Sequence, residues 1–296
     1  MRLMNHIKTA FLLGSLMGLC MLVGHLVGGS QGMLMGLLFG GVGNFVAYWF
    51  SDRIALAAMQ GQQVSRAEAP WLVDMVENLA RRAEIPMPRV YICPQPAPNA
   101  FATGRNPQNA AVAITAGMLD NFPRHEIEGV MAHEIAHIKN RDVLITTVAS
   151  VLAAMISYAG YALMFGGGSR DGESQHPLAA IGALLAVVLA PLGAMLIQMA
   201  ISRQREYAAD SLGAQLSGDP MKLATALRRL EVGNQRIPTE ANPAFNSMFI
   251  VKPLSMGGMA SLFSTHPPTE RRIAALERMA AEQGHAQTRD VRVIFG

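Results

Sequence analysis

Three long stretches of the chain contain no aspartate, glutamate, lysine or arginine. The first covers the 43 residues between Lys8 and Asp52, and the others cover 143–169 and 174–202. About 20 apolar residues cross a bilayer as one helix. The first stretch therefore predicts two helices that reverse near 28–32, and each later stretch predicts one. This pattern favours an α-helical integral membrane protein with four transmembrane helices.

Glycines recur at small intervals through the first of these stretches. They are Gly14, Gly18, Gly24, Gly28, Gly32, Gly36 and Gly40. Small residues four positions apart let two membrane helices approach each other closely. We therefore expect the first two helices to pack together as a hairpin.

The positive charges near the ends of the four predicted helices fall mostly on one side of the membrane. The side that holds both termini has seven such residues: Arg2, Lys8, Arg53, Lys139, Arg141, Arg203 and Arg205. The two loops on the other side contain only Arg170. Lysine and arginine are enriched in cytoplasmic loops. Both termini and the polar segments are therefore predicted to be cytoplasmic.

The polar remainder of the chain is divided by the second predicted hairpin. The predicted domains are a hairpin over 1–51, a first polar part over 52–142, a second hairpin over 143–202 and a second polar part over 203–296. Residue patterns predict strands over 89–93, 99–104 and 110–115. They predict helices over 70–82, from Pro123 through the 133–137 region, from Pro220 to Gly233 and from Pro267 to Glu282. The polar parts together are predicted to form an α+β domain.

Composition narrows the classes of protein that the chain can belong to. Hydrophobic residues make up 51% and charged residues 15%, and the net charge is only +3. Few aromatics and no long basic run exclude nucleic acid as a partner. Two cysteines, Cys20 and Cys93, exclude a disulfide framework.

The sequence HEIAH supplies the first chemical signal. On a helix, His133 and His137 lie on one face, and Glu134 borders that face. This HExxH spacing is typical of zinc peptidases in which both histidines bind the ion and the glutamate acts as general base. The alternative is an amphipathic helix with two ordinary histidines.

A catalytic zinc ion needs a third protein ligand and one open position. Glu206 and Asp210 stand four residues apart on a predicted helix, after two predicted crossings that return the chain to the cytoplasmic side. Glu206 is therefore the candidate third ligand for one Zn²⁺ per chain. Asp210 is the candidate carboxylate that holds the far nitrogen of a ligand histidine. A surface helix with ordinary charge spacing is the alternative.

Four motifs together resemble a known family. HEIAH before one hairpin, SRQREYAAD after it, and the stretches PNAFATG and FSTHPPTERRI are similar to the HtpX-type membrane zinc metalloproteases. These belong to the wider gluzincin family, which includes the CAAX prenyl endopeptidases. The resemblance covers essentially the whole chain.

The resemblance implies a zincin-like metallopeptidase domain and a zinc-dependent endopeptidase of the bacterial inner membrane. It assigns His133, His137 and Glu206 as ligands and Glu134 as the catalytic glutamate. It further implies a stress-response role in hydrolysing misfolded or damaged membrane proteins. Expected partners are polypeptide substrates, the lipid bilayer, and either other copies of the chain or other quality-control proteins.

Three further site predictions are less specific. His266, just before a helix that begins with proline, is a candidate oxyanion stabiliser, or alternatively a helix cap. Arg203 is expected either to orient Asp210 or to contact substrate. An exposed strand edge can pair with an extended peptide, and the candidate edge residues are Asn99, Ala100, Phe101 and Ala102, unless this strand is merely structural.

Two other functions compete with degradation of damaged proteins. One is a site-specific processing peptidase for a lipidated or signal-bearing protein, which four spans disfavour because they are too few to enclose a large chamber. The other is a non-catalytic, metal-binding membrane scaffold. An intact Glu134 argues against the scaffold, since a purely structural metal site needs no general base.

Overall fold

The computed structural model of the chain describes residues 2–144, 148, 203–236 and 267–295. Apart from three residues at its start, the predicted second hairpin at 143–202 lies outside these ranges. His266 and most of the 234–262 loop also lie outside them. The fold described below is that of the remaining residues.

The first helical element, α1 (Arg2–Ala58), reverses direction at Gly29. Gly29 has a φ of +59°, which glycine adopts without steric cost. The two arms of α1 pack so closely that a Cβ on Gly24 would lie 2.1 Å from the carbonyl oxygen of Gly32. Further along the arms, Asn44 Nδ2 donates to the Leu13 carbonyl at 2.8 Å. The glycine-based hairpin packing predicted from the sequence is thus present.

The number of membrane-spanning helices does not follow from the hairpin alone. Within the described ranges, no single helix is long and apolar enough to cross a membrane. One bent pair, Gly29–Val46 with Tyr48–Ala58 at 65°, meets that requirement when taken together. The four-helix count therefore stays a prediction.

Four strands form one small mixed sheet. They are β1 (Gln62–Gln63), β2 (Arg89–Cys93), β3 (Ala100–Gly104) and β4 (Ala110–Thr115), in the order β1-β2-β4-β3. β2 and β4 are parallel, whereas β3 runs antiparallel to β4 with Ala102 opposite Val112. The three predicted strands are confirmed. The two-residue, polar β1 was not predicted because it is too short to show alternation.

A short 3-10 helix, Pro107–Asn109, lies between β3 and β4. The α-helices after α1 whose bounds lie in the described ranges are α2 (Pro70–Arg82), α3 (Ala116–Asn121), α4 (Arg124–Asn140), α5 (Arg203–Ser217), α6 (Pro220–Arg236) and α7 (Thr269–Phe295). The end predicted for α7 at Glu282 was wrong. A helix tolerates a single glycine such as Gly284 at modest cost, so α7 continues past it.

The sheet separates two apolar clusters. On one face, Ala100, Val112 and Ile114 join the core built around α2 and α4. On the other face, Phe101, Ala111 and Ala113 pack against Ala55, Leu56 and Met59 at the end of α1. Because side chains alternate along a strand, successive residues of β3 serve opposite layers. The α+β architecture predicted for the polar segments is confirmed.

Helix α4 lies at the centre of the domain, in contact with β3, β4, α2, α5 and α6. Two glycines make this close packing possible. A Cβ on Gly129 would lie 2.5 Å from the backbone nitrogen of Leu223 in α6. A Cβ on Gly213 of α5 would lie 2.9 Å from the backbone nitrogen of His133. Small residues at these crossings therefore set how near α5 and α6 approach α4.

We predict that Gly129→Ala lowers the stability of the domain by about 1–3 kcal/mol, because the new methyl group meets backbone rather than a flexible side chain. The measurement is denaturant unfolding in detergent. Gly284→Ala is the matched control, since a Cβ there meets nothing within 4 Å. It should leave stability unchanged or raise it slightly. Equal effects of the two substitutions would contradict the packing argument.

Candidate metal centre

Two histidines lie one helical turn apart in the C-terminal half of α4. The Nε2 atoms of His133 and His137 are 3.1 Å apart, and their rings meet edge to face with centroids separated by 4.5 Å. Both rings face the neighbouring helix α5 because positions i and i+4 share one side of a helix. The predicted pair thus converges on one point.

Glu206, in the first turn of α5, completes this cluster. Its carboxylate oxygens lie 3.8 Å from His133 Nε2 and 3.6 Å from His137 Nε2. The three side chains offer ligand atoms that all lie within 4.8 Å of one another. Ligands bound tetrahedrally to one zinc ion lie about 3.4 Å apart. Two imidazoles and a carboxylate at these separations suit a zinc-sized cation.

A carboxylate supports each histidine from behind. Asp210 Oδ1 lies 3.0 Å from His133 Nδ1, as predicted, and Asp142 Oδ1 lies 3.1 Å from His137 Nδ1. Such carboxylates fix the tautomer and orientation of a ligand histidine. The role of Asp142 was not predicted, because Asp142 lies beyond the end of α4. Arg141 ends that helix in a left-handed conformation with φ of 59°, which turns Asp142 back towards His137.

The side chain that holds Asp210 comes from α7. Arg272 is 1% exposed, and its Nε and Nη2 donate to the two carboxylate oxygens of Asp210 at 2.9 and 2.6 Å. The suggestion that Arg203 orients Asp210 is therefore replaced, since Arg203 is exposed at the start of α5. A sequence signal for Arg272 did exist. It precedes Leu276 by four residues and so lies on the apolar face of its helix.

Burial and neighbouring charges shift the pKa of each group in the cluster, and the two histidines shift in opposite directions. Burial, His137 and Arg272 lower the pKa of His133. Burial alone would raise the pKa of Asp210, but the charge and hydrogen bonds of Arg272, together with His133, lower it to about 2. Burial alone would lower the pKa of His137, but Asp142, Glu206 and Glu134 raise it to about 10. The carboxylates around His137 therefore favour positive charge at this ring, which a divalent cation bound to the neutral imidazole would supply.

Glu134 lies between the histidines and the sheet. Its Oε2 accepts a hydrogen bond of 2.8 Å from the backbone N–H of Ala102. Burial raises its pKa to about 7, against the opposing effect of His137. A carboxyl group that titrates near neutral pH suits proton transfer to and from a reacting molecule.

The predicted substrate-binding strand borders Glu134. β3 is an edge of the sheet, and the Ala102 N–H points away from β4 towards α4. The Phe101 side chain, however, packs against α1 on the opposite face. The Asn99 N–H donates to Thr115 Oγ1 inside the fold at 2.8 Å. Ala100 is 0% exposed and belongs to the core. Of the four predicted edge residues, only Ala102 is partly exposed, and its N–H is bonded to Glu134.

Three features together define a metal-dependent peptidase. They are a largely buried His, His, Glu donor set, a neighbouring carboxyl group with a pKa raised to about 7, and an adjacent strand edge. Comparison with known proteins places the chain within that class. The sequence profile described as Peptidase family M48 matches residues 66–280. The chain is 50% identical over 289 residues to the "Protease HtpX homolog" of Persephonella marina, covering 95% of this chain and 99% of that one. The chain therefore belongs to peptidase family M48 and is a metalloprotease.

A solved structure supports the same fold. The crystal structure of S. mikatae Ste24p matches with a TM-score of 0.50 and 19% identity, covering 93% of this chain. The chain spans 65% of the length of Ste24p, just under two thirds. The resemblance drawn from the four motifs and the predicted enzyme class are confirmed.

We predict that Asp142→Asn lowers zinc affinity about 10- to 100-fold, because the amide keeps the shape of the carboxylate but loses the charge that supports His137. Competition with a chelator at fixed pH measures the effect. Asp120→Asn, at an exposed position of α3, is the matched control and should leave affinity unchanged. Unchanged affinity in both variants would remove Asp142 from the metal centre.

We predict that Arg272→Met destabilises the domain by about 3–5 kcal/mol, because Asp210 is then a buried carboxylate without its cation. Denaturant unfolding at neutral pH measures the loss. Arg228→Met removes the exposed pair between Arg228 and Glu277 on neighbouring helices, and should cost less than about 1 kcal/mol. Adding Asp210→Asn to Arg272→Met should restore part of the stability. If the double variant instead lost as much stability as the sum of the Arg272→Met and Asp210→Asn single losses, the two residues would not be a coupled pair.

Proposed function

We propose that the chain is a zinc-dependent endopeptidase of the bacterial inner membrane that hydrolyses peptide bonds in misfolded or damaged membrane proteins. The observation that carries this proposal is the position of Glu134. Its carboxylate lies beside the paired histidines and accepts a hydrogen bond from the edge strand β3. One group thus borders both the metal ligands and the place where a peptide would lie.

His133, His137 and Glu206 are the residues that would hold the zinc ion, with Asp210 and Asp142 behind the histidines. A bound zinc ion would polarise the substrate carbonyl and make a water molecule a stronger nucleophile. The choice of zinc rests on the donor set, since two imidazoles and one carboxylate are typical of catalytic zinc in peptidases. We expect one ion per chain.

Glu134 carries the proton transfers. Its carboxylate accepts a proton from the water that attacks the scissile carbonyl carbon. It then delivers that proton to the amine as the carbon–nitrogen bond breaks. A pKa near 7 lets the same group accept and release the proton at neutral pH. His266 stays the predicted oxyanion stabiliser, and Arg203 a predicted contact with substrate.

The peptide substrate would lie extended along β3. The main chain of the peptide would pair with the edge of β3 around Ala102, which gives affinity without demanding a particular side chain. This mode of binding requires an extended segment with unpaired main-chain groups, because a helix or an inner strand of a sheet has already paired its own. Misfolded polypeptides fit that requirement.

The membrane location is supported by α1. Phe39, Phe45 and Trp49 are 66%, 59% and 46% exposed on this hairpin. Large apolar side chains exposed together indicate contact with lipid or with another protein. The excess of lysine and arginine at the predicted span ends supports a cytoplasmic position for the catalytic domain. Other copies of the chain and quality-control proteins are the proposed partners.

We predict that Glu134→Gln abolishes cleavage of an unfolded reporter protein in detergent, with a loss of at least about 100-fold, while zinc content stays unchanged. The amide fills the same space as the carboxylate but cannot accept the proton. The comparison is made with the native chain at equal measured zinc content.

His137→Ala is the companion variant, and it should lose zinc and activity together. Cleavage by Glu134→Gln at the native rate would contradict the proposed function. Loss of zinc from Glu134→Gln would show that this residue holds the metal rather than moving the proton.

A further inference from the structure

The end of α1 lies on the face of the sheet opposite the metal centre and is attached there to two strands. Its apolar side chains pack against Phe101 of β3, which is 2% exposed. Asp52, which is 8% exposed, accepts a hydrogen bond of 2.6 Å from the guanidinium group of Arg89 in β2. Just after α1, the Met59 carbonyl oxygen accepts one of 3.0 Å from Gln95 Nε2. The helix that forms the predicted membrane hairpin thus extends across the back of the catalytic domain.

Arg105 joins this part of α1 to the end of β3. It directly follows Gly104, the last residue of the strand. The Arg105 guanidinium carbon lies 4.5 Å from the centre of the Trp49 ring, and Nη1 lies 3.5 Å from the Trp49 carbonyl oxygen. The Trp49 ring is itself stacked on Phe45, with centroids 5.9 Å apart. Because a guanidinium group is attracted to the negative face of an indole ring, this contact fastens the end of β3 to the hairpin.

The backbone on both sides of Arg105 is constrained. Gly104 has a φ of 135° and is paired with Ala110 of β4, and a Cβ on Gly104 would lie 2.3 Å from the Asn109 carbonyl oxygen. After Arg105, Asn106 Oδ1 accepts a hydrogen bond of 2.9 Å from the Asn109 N–H and so caps the following turn. Since this turn has little freedom of its own, a shift of Arg105 would move the end of β3 rather than a loose loop.

The position of β3 depends on such contacts because it is an edge strand. It pairs with β4 on one side only, whereas an inner strand is held by neighbours on both sides. On its open side, the Ala102 N–H donates to Glu134 Oε2 at 2.8 Å. From behind, Phe101 and Arg105 contact α1. The end of α1 therefore helps to set where the edge of β3 lies relative to Glu134.

We propose that Arg105 is a positioning residue for peptide binding: through its contact with Trp49 it holds the edge of β3 where an extended peptide pairs with it beside Glu134. Arg105 touches neither the metal ligands nor the reacting atoms, and it acts through the strand. A displaced edge would misalign the main-chain hydrogen bonds to the peptide and so weaken its binding. This inference rests on the proposed function, in which the peptide lies along β3.

The first test measures cleavage of an unfolded reporter protein by the full-length zinc protein in detergent. Arg105→Gln should raise KM about 3- to 10-fold, as expected for the loss of about one main-chain hydrogen bond. It should leave kcat and zinc content unchanged, because only binding is weakened. Trp49→Leu should have the same effect, and the double variant should raise KM no further than either single one. Additive rises would overturn the inference, since the two residues would then act separately.

Arg124→Gln is the matched control. The exposed Arg124 begins α4, and its guanidinium carbon lies 4.9 Å from the centre of the Trp71 ring. The substitution therefore removes the same charge and the same kind of contact, but one that involves neither α1 nor β3. It should keep the native KM. An equal rise of KM in Arg124→Gln and Arg105→Gln would overturn the inference, because the loss of charge alone would then be the cause.

Hydrogen exchange of the amides in 100–104 reports on β3 without any substrate. Exchange should be faster in Arg105→Gln and in Trp49→Leu than in the native chain, because an edge strand that loses a contact opens more often. Arg124→Gln should exchange at the native rate. Faster exchange together with an unchanged KM would overturn the inference, since Arg105 would then hold the strand without any effect on peptide binding.

A direct binding measurement separates this inference from the proposed function. The Kd of a fluorescent, unfolded peptide is measured on Glu134→Gln, with and without Arg105→Gln, and should rise about 3- to 10-fold when Arg105 is replaced. That rise, without any cleavage by the native chain, would leave Arg105 as the positioning residue and remove the proposed function. Cleavage by the native chain with a Kd that does not depend on Arg105 would do the reverse.

Discussion

The structure depends on keeping several charged groups together in its interior. Glu134, Asp142, Glu206 and Asp210 are each at most 5% exposed. Buried carboxylates without compensation cost several kcal/mol each. Arg272 supplies one positive charge, and the histidine pair offers the place for a second. A metal ion there would be part of the electrostatic balance of the fold as well as part of the chemistry.

This constraint explains why α4 occupies the centre of the domain. The ligand histidines need one carboxylate from α5 in front of them and two more behind them, and the sheet must reach Glu134 from the other side. Gly129 and Gly213 allow α6 and α5 to approach the backbone of α4 closely enough for these contacts. Arg272 then arrives from α7, 139 positions from His133 along the chain, and joins the last helix to the same cluster.

The ends of α4 and β3 connect this interior to the surface. Arg105 directly follows β3, and Arg141 directly follows α4. The end of α1 packs on the far face of the sheet, and its Trp49 ring lies 4.5 Å from the Arg105 guanidinium carbon. The helix that begins as part of the hairpin thus ends as part of the catalytic domain. A peptide leaving the bilayer would meet the strand edge without travelling far from the lipid surface.

Features that depend on local geometry follow from the sequence. Helical spacing put His133 and His137 on one face and related Glu206 to Asp210, and residue type marked β2, β3 and β4. Which distant groups meet depends on tertiary packing. Asp142 reaches His137 because Arg141 takes a left-handed turn, and Arg272 reaches Asp210 because α7 packs beside α5. Periodicity fixes neighbours within one element, whereas contacts between elements depend on how their surfaces pack, and no local pattern records that choice.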